Sequence, residues 1–106
     1  MEKYRYGIYE GERALFKAKD VDIAYCTFQN GESPLKESRN VKLYETSFKW
    51  RYPLWYTKNV EIENCYMLDT ARAGIWYTEN LTAKNFVIKA PKAFRRCNKV
   101  SLENVT

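Results

Sequence analysis

One pattern limits this chain more than any other: it repeats itself about every twenty residues. Val21, Val41, Val60, Leu81 and Val100 occupy equivalent strings, at spacings of 20, 19, 21 and 19. Two positions later come Ile23, Leu43, Ile62, Ala83 and Leu102; six positions earlier come Leu15, Leu35, Leu54, Ile75 and Phe94. Five positions later stand Cys26, Thr46, Cys65, Phe86 and Val105, and seven later Phe28, Phe48, Met67 and Ile88. Three positions before the valine the side chain is always small: Ala18, Ser38, Thr57, Thr78, Cys97. Val60-Glu61-Ile62 and Cys65-Tyr66-Met67 alternate with the period of a strand, and no stretch keeps the i, i+3, i+4, i+7 spacing of a helix. The strands this predicts are about three to five residues long, too short to stand alone.

A twenty-residue unit holding three short strands is one coil of a parallel β-helix. Successive coils stack at about 4.8 Å, so inward residues pile valine on valine and phenylalanine on phenylalanine. One coil cannot bury its own apolar side chains, and stability comes from stacking on its neighbours. The sequence thus predicts an all-β solenoid of about five coils, a column roughly 24 Å tall. A single domain over 1–106 accommodates it, with coils over 14–106 and the last one incomplete. Residues 1–13 read as an N-terminal cap or partial coil, placing Tyr4, Tyr6, Ile8 and Tyr9 over the first coil. Asparagines mark the corners: Asp20, Asn40, Asn59 and Asn80 precede the valine column, the fifth coil offers Asn98 one position early, and Asn64, Asn85 and Asn104 follow it. Asn tolerates turn conformations, and stacked amides can bond up a column. A leucine-rich repeat has a similar period. Its Asn follows a Leu-x-x-Leu-x-Leu run, whereas here the first Asn precedes the strand and Ser or Thr replaces the middle Leu.

Composition narrows the chemistry. The 106 residues carry 18 basic and 13 acidic side chains, a net charge of +5, and no histidine. Ser-His-Asp or Cys-His catalysis and imidazole-bound zinc are therefore excluded within the chain. No apolar stretch reaches the ~18 residues of a membrane span. Met1 to Tyr6 lead into no apolar secretory core, so the expected location is cytoplasmic, with no membrane partner. Cys26 and Cys65 share a column two coils apart, about 10 Å, beyond the roughly 7 Å reach of a disulfide. Cys97 belongs to another column. All three read as small core thiols in a reducing compartment. Asn80-Leu81-Thr82 and Asn104-Val105-Thr106 match the glycosylation pattern but read as corner asparagines.

Several strings are distinctive: Gly11-Glu12-Arg13-Ala14-Leu15-Phe16, Gly31-Glu32-Ser33-Pro34-Leu35-Lys36, the run from Phe48 to Tyr56, and Ala71-Arg72-Ala73-Gly74-Ile75-Trp76-Tyr77. They resemble a bacterial domain-of-unknown-function family whose members look like right-handed parallel β-helices of the pectate-lyase-like kind. The resemblance covers nearly the whole chain and implies the fold and its hand. It brings no activity, and it likens this chain to the N-terminal part of longer members.

Chemistry would sit on the outside of the coils. Next to Leu35, Leu54 and Ile75 the outward residues include Phe16, Lys36, Trp55, Trp76 and Arg95, followed by Tyr56 and Tyr77; the connections add Trp50, Arg51, Tyr52 and Arg72. Trp50, Arg51, Trp55, Tyr56, Arg72, Trp76, Tyr77 and Arg95 thus form the expected ligand-binding face. Aromatic rings can stack on a pyranose while guanidinium groups fork onto its carboxylates. The expected partner is a carbohydrate or another anionic ligand, bound without catalysis. The same residues equally suit a structural ladder. Single-stranded nucleic acid is disfavoured, because Lys and Arg form no dense run. The enzyme alternative is a polysaccharide lyase or hydrolase using Asp69 and Arg72, with Glu37 and Glu79 as further acids, although arginine resists acting as a base. No cofactor or metal is expected, since the acids scatter among lysines. The last unit lacks the Phe-like residue after Val105, which suggests self-association through the C-terminal open coil.

Overall fold

A computed structural model describes residues 2–11, 15–29, 31, 34–50, 52–71, 75–89 and 94–106. Twelve strands and no helix occur among them. The first two are β1 (Glu2–Arg5) and β2 (Ile8–Tyr9), then β3 (Lys19–Ala24) and β4 (Thr27–Phe28), then β5 (Arg39–Tyr44) and β6 (Ser47–Phe48). They are followed by β7 (Leu54–Trp55), β8 (Lys58–Met67), β9 (Ile75–Trp76), β10 (Glu79–Ile88), β11 (Phe94–Arg95) and β12 (Asn98–Val105). Every strand pairing is parallel. The protein is a parallel β-solenoid of about five turns, with successive turns about 19 residues apart.

The register is the one the repeat demands. Val21 lies opposite Val41, Val41 opposite Val60, Val60 opposite Leu81, and Leu81 opposite Val100. Ile23, Leu43, Ile62, Ala83 and Leu102 form the adjacent stack. A second face stacks Phe28 on Phe48 and Phe48 on Met67, and the two phenyl rings lie 5.2 Å apart at 9°. The third face is β7, β9 and β11, with Leu54 opposite Ile75 and Ile75 opposite Phe94. The three faces enclose one core in which Ile23, Leu35, Val41, Phe48, Leu54, Cys65, Ile75 and Phe86 are buried. A one-residue slip would turn each apolar set outward, which is why the pattern fixes the register so tightly.

Among the described residues positive φ recurs in three columns: Lys17, Glu37, Tyr56, Tyr77 and Arg96, then Asp20, Asn40, Asn59, Asn80 and Lys99, both between the third face and the valine face, and Tyr6, Tyr25, Glu45, Asn64, Asn85 and Asn104 between the valine face and the second face; Leu15 and Tyr52 hold it as well. Left-handed backbone costs an ordinary residue about 1–2 kcal/mol, and Asn or Asp less. Asparagines therefore fill these sites repeatedly. The amide of Asn40 donates to Asp20, that of Asn59 to Asn40, and that of Asn80 to Asn59, at 2.7, 3.0 and 2.7 Å. The displaced Asn98 is not part of this ladder: it pairs with Glu79, and Lys99 takes the corner. Two strands are longer than the repeat suggests. β8 and β10 run ten residues, straight through the corners at Asn64 and Asn85, whereas Tyr25 and Glu45 separate β3 from β4 and β5 from β6.

The small-residue column has a polar purpose. Ser38 Oγ donates to the Leu35 carbonyl at 2.6 Å, Thr78 Oγ1 donates to the Leu54 carbonyl at 2.9 Å, and the hydroxyls of Thr57 and Thr78 share a hydrogen bond of 2.8 Å. Buried hydroxyls are thus bonded, as they must be to avoid a desolvation penalty. At the N-terminal end β1 pairs with β3, with Tyr4 opposite Ile23, and Tyr9 stacks on Phe28 at 5.1 Å. Tyr6 and Ile8 point away from the core and are 77% and 67% exposed. The cysteines are free; Cys26 and Cys65 are buried, while Cys97 is only half-buried.

Candidate binding face

The face begins with backbone pairing. Parallel register sets Trp55 beside Trp76 and Trp76 beside Arg95. The indole centroids are 5.1 Å apart with planes 5° from parallel, close to the rung spacing. One position on, Tyr56 and Tyr77 stack at 4.8 Å and 3°. Both tyrosines hold positive φ, and this corner turns two consecutive residues of each rung outward. Two aromatic columns therefore run side by side up the solenoid. The tryptophan column is flanked at both ends: Tyr52 lies 4.4 Å from Trp55 at 42°, and the Arg95 guanidinium sits 4.8 Å from the centre of the Trp76 ring.

This geometry corrects one expectation. Each indole lies across the column axis, so its faces are covered by its neighbours: Trp55 by Tyr52 and Trp76, Trp76 by Trp55 and Arg95. A pyranose cannot lie flat on either tryptophan without displacing a partner. What the column turns outward is ring edges. An aromatic ring is electropositive at its edge and electronegative on its face. The face covered by Arg95 is engaged by a cation, and the edges beside it favour negatively charged groups.

The other predicted residues divide into three groups. Trp50 is half-buried in the connection after β6. Arg51 and Arg72 lie outside the described residues, so their place on the face, and any pairing of Asp69 with Arg72, is not described. Asp69 is exposed just after β8, and Glu79 lies 3.9 Å from Lys58 as an exposed ion pair. Among the described residues no cluster of three or more His, Cys, Asp or Glu side chains is placed to hold a metal ion. Cys65 is in a poor position for thiolate chemistry: burial pushes its thiol from 9.0 up to about 11, against lowering hydrogen bonds from the backbone of Thr46 and Glu63.

The aromatic columns adjoin basic side chains outside the expected ligand-binding face. Lys36 Nζ lies 6.0 Å from the centre of the Tyr56 ring. Beyond it Lys19, Arg39 and Lys58 are stacked by register on the next position outward. The signal was present in the sequence, as basic residues at spacings of 20 and 19, two positions before the valine column.

No curated protein matches the chain. A family model described as "Protein of unknown function (DUF3737)" matches residues 2–106. With nearly every residue inside that match, and with a solenoid register that follows the whole length, the chain belongs to the DUF3737 family.

Proposed function

We propose that this protein is a non-catalytic binding module for an anionic ligand, with acidic carbohydrate the class its outer face suits best. The observation that carries the reading is the Trp55–Trp76 column capped by Arg95, flanked by Tyr56 and Tyr77. A rigid ladder costs little side-chain entropy on binding, because its rings are already fixed by one another. Its outward edges and the guanidinium favour carboxylate or sulfate groups over neutral sugar faces.

Calorimetric titration with a soluble polyuronate and with a neutral glucan tests it. The polyuronate should bind and the neutral glucan should not, and Trp76→Ala should weaken binding by about tenfold or more, as loss of a central aromatic anchor does. Absence of binding to any acidic polysaccharide, or indifference to Trp76→Ala in a variant that keeps its β spectrum, would reject the reading.

A further inference from the structure

A cleft of about 640 Å³ opens beside the aromatic columns, on the first three coils. Five cations line it, Lys17, Lys19, Lys36, Arg39 and Lys58, with Glu37 as the one carboxylate among the described lining residues. Tyr56 forms part of the wall. The volume falls in the range of small-ligand sites.

The arrangement is unusual for this molecule. A solenoid stacks equivalent residues directly on one another, and like charges so placed repel. Elsewhere the stacked positions alternate in sign. Lys3, Asp22, Lys42 and Glu61 follow one another in register, and Lys42 faces Glu61 at 3.9 Å in the same strands that carry the cleft. In the cleft the rule fails: Lys19 is in register with Arg39, and Arg39 with Lys58, before Glu79 ends the run. Lys17 and Lys36 come from the preceding corner and face the same space. Five cations converge where the fold could as easily have interleaved acids.

We infer that this cleft is a binding site for a linear oligoanion, whose tetrahedral phosphate or sulfate groups lie along a cationic column with a rung spacing of about 4.8 Å. The ligand relieves the repulsion within the column, and Lys and Arg supply charge-assisted hydrogen bonds to its oxygens. Three rungs of cations accommodate a short oligomer, with Glu79 setting the limit at one end. The site shares Tyr56 with the aromatic face but not the Trp76–Arg95 contact, and the Trp76→Ala variant distinguishes its failure from that of the carbohydrate reading.

Isothermal titration of the full chain with inorganic tripolyphosphate, with orthophosphate, and with a sulfated oligosaccharide tests this. Tripolyphosphate should bind at least about tenfold tighter than orthophosphate, because only the oligomer reaches cations on more than one rung at once. The double variant Lys19→Gln/Arg39→Gln should lose about tenfold or more in affinity. Lys42→Gln, which removes one charge from an acid-paired site, should stay close to wild type. Trp76→Ala should leave tripolyphosphate binding intact, which separates this site from the aromatic face. Preference for the sulfated oligosaccharide over tripolyphosphate identifies a sugar-borne source of the anions, and the reverse an inorganic or phosphoester one. Equal binding of orthophosphate and tripolyphosphate, or equal losses in Lys42→Gln and the double variant, would show attraction to net charge alone and overturn the site.

Discussion

At the scale of single residues, the corners govern. Asn59 holds positive φ, donates to Asn40 and accepts from Asn80. Asn59→Ala removes both amide bonds and places a strained residue at the corner, and should cost about 1–2 kcal/mol. Asn59→Gly keeps the backbone freedom and loses only the bonds, so it should cost less. Urea denaturation of the two variants measures the difference, and equal losses would mean that the ladder, not the backbone, dominates. Gly31 carries a constraint of another kind: its φ is +156°, and a Cβ there would collide with the backbone of Gly11. Cys65 adds a pH dependence. Its folded thiol ionises near 11 instead of 9.0, so above pH 9 the unfolded chain loses that proton first. Its contribution is intact below pH 9 and fades as pH rises toward 11. Cys65→Ala should flatten the fall in urea midpoint over that window, and an unchanged slope would show that other groups set it.

At the scale of the elements, stacking sets the energies. Phe48 is buried between Phe28 and Met67 on neighbouring rungs, so Phe48→Ala opens a cavity that both neighbours line. It should cost about 3–5 kcal/mol, read as a drop in urea midpoint at unchanged slope. The strand columns were legible in the sequence because an inward residue recurs on every rung and a slip exposes it. The strand lengths were not. The same repeat that predicts short strands gives ten residues in β8 and β10, because pairing continues through a corner occupied by Asn64 or Asn85. Corner conformation belongs to backbone geometry that apolar periodicity does not encode. The binding face shows the same division. Adjacency of Trp55, Trp76 and Arg95 follows from spacing alone, but the coverage of both indole faces depends on ring orientation.

At the scale of the whole molecule, the solenoid behaves as a row of neighbours. Each coil contacts only those above and below, so local stability rises away from the ends. The outer rungs already show the difference: Val100 and Leu102 are exposed while Val41 and Leu43 are buried in the same columns. Native-state hydrogen exchange should find the slowest amides in β5 and β8 and the fastest in β1 and β12. Uniform protection across the rungs would indicate all-or-none opening instead. The charge distribution is also a property of the whole: sign alternation along the long face gives way to one basic cleft, which no single coil contains.

The sequence by itself determined the architecture, the register and the inward columns. Periodicity is a statement about which residues share an environment, and a solenoid has only one environment per column. Only the tertiary structure decided where the outer side chains point. It covered the faces of Trp55 and Trp76, placed Lys99 instead of Asn98 at its corner, and gathered Lys17, Lys19, Lys36, Arg39 and Lys58 around one cleft. Outward residues escape the burial constraint that makes inward ones readable, so although corner asparagines and basic residues recur with the coil, which side chains converge on one space depends on corner geometry and ring packing.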